Sequence, residues 1–198
     1  PERVVVLYDM GAVNTNVALV TFSNKTTKAS DYIGSFTING TSWDNTLGGY
    51  HFESRLAHKF AEYWHQRHGT DLTKLPRVMA RLFESAKKTK EVLSANTDTV
   101  AMIESLHDGK DFMMSVTRTE FEEMCTDLIE RSLVPLADLM KKTGVSKDKI
   151  FAVELVGGGT RVPAIQARLK KFLGGRELGY SLNSDEAIAL GSAFHAAF

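Results

Sequence analysis

The stretch Phe151-Ala-Val-Glu-Leu-Val-Gly-Gly-Gly-Thr160-Arg-Val-Pro163 runs from a short apolar segment through three consecutive glycines into an amphipathic segment. This order predicts a buried strand, a tight glycine turn and a helix with Pro163 in its first turn. Glycines at such a junction let a ligand approach the bare main chain, and the unpaired N–H groups of the following helix favour an anion such as phosphate. A crowded turn without a ligand would need the same residues, so the motif alone leaves both interpretations open.

The composition is that of an ordinary globular chain. Its 198 residues are 43% hydrophobic, which predicts one domain with a real core and room for two subdomains. The 24 Lys and Arg residues equal the 24 Asp and Glu residues, and no apolar run reaches the roughly 20 residues that span a bilayer. We therefore expect neither a nucleic-acid partner nor a membrane segment. Because the chain opens at Pro1 without an initiator methionine, we also expect it to be a piece of a larger protein.

Cysteine usage and glycosylation triplets say little about the cellular compartment. The single Cys125 permits no internal disulfide, and its helical surroundings predict a small core residue rather than a nucleophile. Asn24 and Asn39 each begin an Asn-x-Thr triplet, which would be a glycosylation acceptor in a secretory compartment. Such triplets also arise by chance, so they support a secretory location only weakly.

Hydrophobic periodicity and turn residues predict an alternation of strands and helices. The predicted strands span residues 4–8, 17–22, 29–38, 99–106, 111–116 and 151–156. Helical patterns run from Leu47 to His68 and from Pro76 past Leu93, and a last helix ends at Ala197.

Three local patterns predict where elements turn, begin or break. Asp108-Gly109 between two strands is typical of a β-hairpin. Thr117 and Glu120 have the spacing of a capping box ahead of the next helix, and Pro135 should kink or divide that helix.

The first predicted strand repeats the pattern of the opening stretch. Val4-Val-Val-Leu-Tyr-Asp9-Met-Gly11 and residues 151–158 are both apolar strands that end at glycine-containing turns. Ligands of open α/β sheets bind outside the carboxyl ends of strands, so the two turns could converge on one phosphate site with Asp9 at its edge. A carboxylate beside a polyphosphate needs a hard cation between them, and Mg²⁺ bound through one carboxylate and waters fits.

Five motifs occur along the chain, namely Asp9-Met-Gly11, Leu47-Gly-Gly49, Leu93-Ser-Ala-Asn96, Val156-Gly-Gly-Gly-Thr-Arg-Val-Pro163 and Asn183-x-Asp-Glu-Ala187. In order and spacing they resemble the second lobe of the actin-like ATPase domain of the seventy-kilodalton heat-shock chaperones. The segment from Phe121 to Arg131 is most similar to the large glucose-regulated branch of the endoplasmic reticulum. Members of that branch are co-chaperones and nucleotide-exchange factors for the luminal heat-shock chaperone.

The resemblance implies that ATP or ADP binds with Mg²⁺ between the two glycine turns. Asp9 would order Mg²⁺ and its waters, and it is the residue implied in catalysis. The residues implied in nucleotide binding are Gly11, Ala12, Val13, Gly49, Lys87, Lys90, Glu91, Ser94, Gly157, Gly158, Gly159, Arg161 and Asp185. Without the resemblance, Lys87, Lys88 and Lys90 would be interpreted as a solvated helix face, and only the resemblance favours a binding role for Lys90 over that interpretation.

The first turn departs from the family pattern. A typical member follows the aspartate with Gly-Gly-Gly-Thr and a second aspartate, whereas this chain has Gly11-Ala-Val-Asn-Thr-Asn16. A β-branched residue with positive φ is an outlier, so Val13 should strain the turn and crowd the γ-phosphate. Asn16 removes one acidic partner of Mg²⁺ or water, and Glu91 replaces a basic residue that stacks on adenine. Each change predicts weaker hydrolysis, while the intact second turn leaves binding possible.

Two functions from different classes follow. In the first, the chain is the nucleotide-binding lobe of a chaperone of the endoplasmic reticulum lumen, or alternatively of the cytoplasm. It would bind ATP or ADP to regulate protein folding and would be at most a weak ATPase. In the second, it is mainly a protein-binding lobe of a nucleotide-exchange factor with little or no hydrolysis. The implied partners are the luminal heat-shock chaperone of the same superfamily and unfolded client proteins. The isolated lobe is expected to be inactive because the other lobe holds half of the phosphate clamp.

The expected fold class is α/β, a ribonuclease-H-like, actin-like ATPase lobe with an inserted α+β subdomain. A sheet subdomain with the nucleotide cleft would span residues 1–45 and 124–198, and an inserted helical and hairpin subdomain would span residues 46–123. A Rossmann oxidoreductase and a Walker-type nucleotide loop are excluded because neither glycine turn carries their fingerprint.

Overall fold

The computed structural model describes residues 2–26, 32–184 and 186–197. They form a mixed α/β fold, as the sequence predicts. In chain order the elements are β1 (Arg3–Met10), β2 (Thr15–Thr26), β3 (Tyr32–Asp44), α1 (Gly49–His68), α2 (Pro76–Ala95), β4 (Asp98–His107), β5 (Lys110–Thr117), α3 (Arg118–Met124), α4 (Thr126–Arg131), α5 (Val134–Thr143), β6 (Ile150–Val156), α6 (Pro163–Phe172) and α7 (Ala187–Ala197).

A four-stranded sheet brings the two glycine turns together. Its strand order is β3-β2-β1-β6, with β1 antiparallel to β2 and parallel to β6. β1 lies between β2 and β6, and its β-branched and apolar residues suit an interior strand of such a sheet. The register pairs Asp9 with Val156, so the turns that follow the two strands begin side by side. The predicted convergence of the two turns is therefore confirmed.

The third strand differs from its prediction. Sequence patterning indicates residues 29–38, but β3 continues to Asp44, and residues 29–31 lie outside the described part of the chain. Gly40 does not end the strand, since residues 41–44 of β3 still pair with β2. A Cβ atom at residue 40 would lie 2.9 Å from Thr143 of α5, so this glycine lets the helix pack closely on the strand. The continuation of β3 past Gly40 therefore depends on contacts with β2 and α5, which are distant in sequence.

The helices and the hairpin predicted between the two glycine turns are confirmed. Helix α1 ends where Gly69 adopts a left-handed φ of 71°, and α2 has Pro76 in its first turn. Strands β4 and β5 turn at Asp108 and Gly109, whose φ values of 51° and 67° are typical of a type I′ turn. This two-stranded sheet is separate from the four-stranded one, and β4 packs against α2.

The predicted capping box begins α3. Thr117 Oγ1 accepts a hydrogen bond from the amide of Glu120 at 3.2 Å, and the Glu120 carboxylate accepts one from the Thr117 amide at 2.9 Å. The helical segment then breaks at Cys125 and again before Pro135. Pro135 predicts the second break, whereas no local residue type predicts the first. Cys125 is buried, as predicted, and this burial raises the pKa of its thiol to about 12.

Helix α7 and one face of the four-stranded sheet leave apolar side chains uncovered. The α7 side chains of Ile188, Leu190 and Phe194 are 64%, 50% and 67% exposed, and Phe151 on β6 is 55% exposed. Among the described helices, none has the length and apolar character needed to cross a membrane.

Candidate functional site

The two glycine turns meet at the carboxyl ends of β1 and β6. In the first turn, the amide of Gly11 donates a hydrogen bond to the carbonyl oxygen of Asn14 at 3.0 Å. In the second, Gly157 has a left-handed φ of 81°, and a Cβ atom there would lie 2.4 Å from the carbonyl oxygen of Met10. A side chain at residue 157 would therefore strain its own turn and push it away from β1.

The other two glycines of the second turn have different surroundings. A Cβ atom at Gly159 would lie 2.5 Å from the Met10 side chain, whereas a Cβ atom at Gly158 would meet no atom within 4 Å. The two glycines begin a single 3₁₀ turn that ends at Arg161, and α6 begins only at Pro163. Gly158 is thus the residue of this turn whose open side is free to face a ligand.

The first turn is bound to the start of α1. The amides of Gly49 and Tyr50 donate hydrogen bonds to the carbonyl oxygens of Gly11 and Ala12 at 2.9 and 2.7 Å. A Cβ atom at Gly48 would lie 2.6 Å from the Ala12 carbonyl group, so only glycine allows this approach. A helix N-terminus can offer such amides to an anion. In this chain they hold the first turn, and the start of α1 becomes part of the same site.

A cavity of about 370 Å³ lies between these elements. Its volume is in the range of small-molecule sites. The lining residues come from both turns, α1 and α2: Gly11, Ala12, Gly49, Glu53, Lys87, Lys90, Glu91, Ser94, Gly158, Gly159, Arg161 and Val162. Five of these side chains are charged: Lys87, Lys90 and Arg161 are basic, and Glu53 and Glu91 are acidic. Charged side chains beside glycines that leave the main chain uncovered suit a ligand with both anionic and polar parts.

Most residues implied in nucleotide binding surround this one cavity. Of the thirteen, all except Val13, Gly157 and Asp185 line it. Gly157 packs behind the cavity wall against Asp9 and Met10. Asp185 lies outside the described residues. The structure places these residues around one cavity, whereas the binding role of each residue stays a prediction.

The predicted backbone strain at Val13 is wrong, whereas its role in nucleotide binding stays a prediction. Among the described residues other than glycine, only Ser105 and Asp108 have a positive φ, so Val13 is not strained in that way. Its side chain is 55% exposed and is not part of the cavity lining. The hydrogen bonds from Gly49 and Tyr50 shape the turn without any left-handed residue, which the local sequence does not reveal.

Two lining residues, Glu53 and Val162, are absent from the sequence prediction. Glu53 Oε1 accepts a hydrogen bond from Lys90 Nζ at 2.6 Å, and both side chains are largely enclosed. Glu53 follows Gly49 by four residues, and residues at this spacing share a helix face. That spacing beside a predicted cavity glycine could have identified Glu53. Val162 has an aliphatic side chain, which gives no indication in the sequence that the residue lines a cavity.

Asp9 lies half-buried where the two turns meet. Burial raises the pKa of its carboxyl above the ordinary value, and no donor among the described residues counteracts this effect. Asn16 is directly opposite in the β1–β2 ladder, so the two side chains share a face of the sheet. The described residues contain no group of three or more His, Cys, Asp or Glu side chains suited to a metal. A single carboxylate that binds through water is, however, a mode that Mg²⁺ accepts.

Both candidate glycosylation sites lie on the four-stranded sheet, away from the cavity lining. Asn24 is on β2 and Asn39 is on β3, and both are exposed. The side-chain oxygen of Asn39 accepts a hydrogen bond from Thr21 Oγ1 at 2.7 Å. Glycosylation at either residue stays a prediction.

Known proteins resemble this chain over its whole length. A family model described as Hsp70 protein matches residues 1–198. Heat shock 70 kDa protein 17 of Arabidopsis thaliana is 46% identical over 201 residues, which cover 99% of this chain and 23% of that protein. Hypoxia up-regulated protein 1 of Mus musculus and of Homo sapiens is 43% identical over 197 residues, which cover 98% of this chain and 20% of each relative. The chain therefore spans about a quarter or less of the relatives' length.

These matches agree with the arrangement of the site. Four of the five motifs that carry the resemblance, at the two strand ends, the start of α1 and the last turns of α2, contribute residues to one cavity. The fifth, Asn183-x-Asp-Glu-Ala187, contributes none of its described residues to the lining. Because the family model spans every residue and the relatives are more than 40% identical, this chain belongs to the Hsp70 family.

Proposed function

We propose that this chain is the second lobe of an actin-like, Hsp70-type nucleotide-binding domain and that its cavity binds ATP or ADP with Mg²⁺. The observation that carries the proposal is the single cavity that joins both glycine turns to the charged residues of α2. The phosphates would lie along the two turns, where the main chain is uncovered. Adenosine would lie against Lys87, Glu91 and Ser94, with Arg161 facing them.

Asp9 is the residue that would hold Mg²⁺ through water. When bound, Mg²⁺ neutralises phosphate charge, and the half-buried carboxylate of Asp9 suits a cation because burial alone disfavours its ionised form. Asn16, opposite Asp9, supplies no second negative charge. We therefore propose slow hydrolysis at most in the whole protein and none above background in the isolated lobe.

We also propose a division of the chain into two subdomains. Residues 1–45 and 124–198 would form a ribonuclease-H-like sheet subdomain, and residues 46–123 would form the inserted one. The separation of the β4–β5 sheet from the four-stranded sheet supports this division. The uncovered apolar side chains of α7 and Phe151 support a further lobe that packs on them in the whole protein.

For the whole protein, we propose a role in the regulation of protein folding in the endoplasmic reticulum lumen. The proposed partners are the luminal heat-shock chaperone of the same superfamily and unfolded client proteins. Support comes from the similarity to the large glucose-regulated branch and from the exposure of Asn24 and Asn39, each of which begins an acceptor triplet. A shift in electrophoretic mobility on endoglycosidase treatment of the cellular protein would support the lumen, and its absence would favour the cytoplasm.

A second candidate function is that of a nucleotide-exchange lobe that binds another chaperone and hydrolyses little or no ATP. The neutral Asn16 beside Asp9 and the acidic Glu91 on the α2 wall favour it. Release of a fluorescent ADP analogue from a second heat-shock chaperone distinguishes the two functions. Acceleration of this release without ATP turnover supports the exchange function, and turnover without acceleration supports the first.

The direct test is calorimetric titration of ATP and ADP into the full two-lobe domain, with Mg²⁺ and with a chelator. Saturable binding that is stronger with Mg²⁺ is expected. Absence of heat and of any thermal stabilisation with either nucleotide would refute nucleotide binding.

A further inference from the structure

Lys90 on α2 and Glu53 on α1 form an enclosed ion pair in the cavity wall. Their Nζ and Oε1 atoms are 2.6 Å apart, and the side chains are 11% and 15% exposed. In the surface pair of Lys59 and Glu62, also on α1, the side chains are 44% and 55% exposed. Water and salt screen a surface pair strongly, whereas an enclosed pair is screened much less. The cavity pair therefore constrains its ammonium group far more than the surface pair does.

The Lys90 ammonium lies against the main chain that joins α1 to the first turn. A Cβ atom at Gly49 would lie 2.9 Å from Lys90 Nζ and 3.9 Å from Glu53 Oε1. The amide of Gly49 in turn donates a hydrogen bond to the Gly11 carbonyl oxygen. The missing side chain at residue 49 gives the ammonium room at this place, and Glu53 holds it there.

We propose that Glu53 is a positioning residue that holds the Lys90 ammonium ready for the nucleotide, an inference that rests on the function proposed above. An ammonium has three N–H donors, so its bond to Glu53 leaves two for oxygens of the ligand. A free lysine side chain would have to be ordered on binding, which costs conformational entropy. Glu53 orders the side chain in advance and also prevents an unpaired cation in an enclosed place.

The test measures ADP binding to the full-length protein by calorimetry with Mg²⁺, together with the unfolding temperature of each variant. Glu53→Ala is expected to bind ADP about tenfold more weakly because a hydrogen bond between charged groups is lost. Glu53→Gln is expected to bind about threefold more weakly because its amide oxygen still accepts the Nζ hydrogen. Glu62→Gln is the matched control, since it makes the same change in the exposed pair of the same helix. It should bind ADP like the unaltered protein.

A charge-exchanged variant, Glu53→Lys with Lys90→Glu, separates positioning from simple attachment of α1 to α2. It restores an ion pair between the helices but moves the cation to the other helix. Recovery of the unfolding temperature without recovery of ADP affinity supports the proposal. Recovery of both would overturn it, and so would unchanged affinity in Glu53→Ala and Glu53→Gln. Absence of ADP binding by the unaltered protein would overturn the nucleotide function itself.

Discussion

The amide of Gly49 donates a hydrogen bond to the carbonyl oxygen of Gly11 across 2.9 Å. Together with the neighbouring bond from Tyr50 to Ala12, it lets the start of α1 fix the first turn without any left-handed residue. A turn fixed in this way accepts Ala12 and Val13 where the family pattern has glycine. The four-stranded sheet and helix α1 are therefore joined at the cavity, and a change at one side should affect the other.

Gly48→Ala should destabilise the protein and weaken nucleotide binding together. The added Cβ atom would lie 2.6 Å from the carbonyl carbon of Ala12 and from the amide nitrogen of Val13, which are main-chain atoms that cannot rotate away. Overpacking of this kind lowers the free energy of unfolding by about 1–3 kcal/mol. Chemical denaturation and ADP titration of the same preparation measure the two effects.

Gly34→Ala is the control for this change. A Cβ atom at exposed residue 34 would meet no atom within 4 Å, so the free energy of unfolding should change by less than about 1 kcal/mol. Its ADP affinity should equal that of the unaltered protein. A Gly48→Ala variant that loses stability but keeps full ADP affinity would contradict the link between the first turn and the cavity.

Gly157→Ala and Gly158→Ala should differ in what they damage. Gly157 combines a left-handed φ of 81° with an approach of 2.4 Å to Met10, so its replacement should lower the free energy of unfolding by about 2–4 kcal/mol. Gly158 has no close neighbour and lines the cavity, so its variant should keep its unfolding temperature and bind ADP more weakly. Thermal unfolding and calorimetry separate the two outcomes. Equal unfolding temperatures for both variants would show that the two glycines do not have separate roles.

The sequence predicts those features whose cause is local. Asp108-Gly109 turns the hairpin, and Pro135 breaks a helix, because each acts through its own backbone preference. No local pattern predicts the end of β3 or the break at Cys125. β3 continues past Gly40, where it stays paired with β2 and lies close to α5, and no pattern within β3 contains that information.

The candidate site also combines features that the sequence predicts with features that it does not. An apolar strand followed by glycine was enough to predict two turns at one sheet edge, and the register of Asp9 with Val156 confirms it. The pairing of Glu53 with Lys90 joins residues 37 apart on different helices, so no periodicity reveals it. The predicted strain at Val13 was wrong because the shape of its turn depends on hydrogen bonds from another element.

Asp9→Asn should stabilise the protein near neutral pH while it weakens Mg²⁺-dependent ADP binding. Burial raises the pKa of the Asp9 carboxyl, so the folded protein favours the neutral form. The stability from that form is complete below the unfolded-state pKa and is lost as the pH rises through the folded-state pKa. The variant should therefore gain most in unfolding temperature at about pH 7 and least near about pH 3, where Asp9 itself is protonated. A gain that did not depend on pH would contradict desolvation as the cause.

Asn16→Asp should make the unfolding temperature depend on Mg²⁺. The new carboxylate would lie directly opposite Asp9 in the β1–β2 ladder, and like charges at such a position destabilise by about 0.2–1 kcal/mol. Mg²⁺ prefers oxygen ligands and should offset this repulsion, so the unfolding temperature should fall in chelator and rise again with Mg²⁺. Asn39→Asp, the same change at an exposed position of β3, should show no such dependence. If Mg²⁺ raised neither the unfolding temperature of Asn16→Asp nor its rate of ATP turnover above that of the unaltered protein, the neutral Asn16 would not explain the proposed slow hydrolysis.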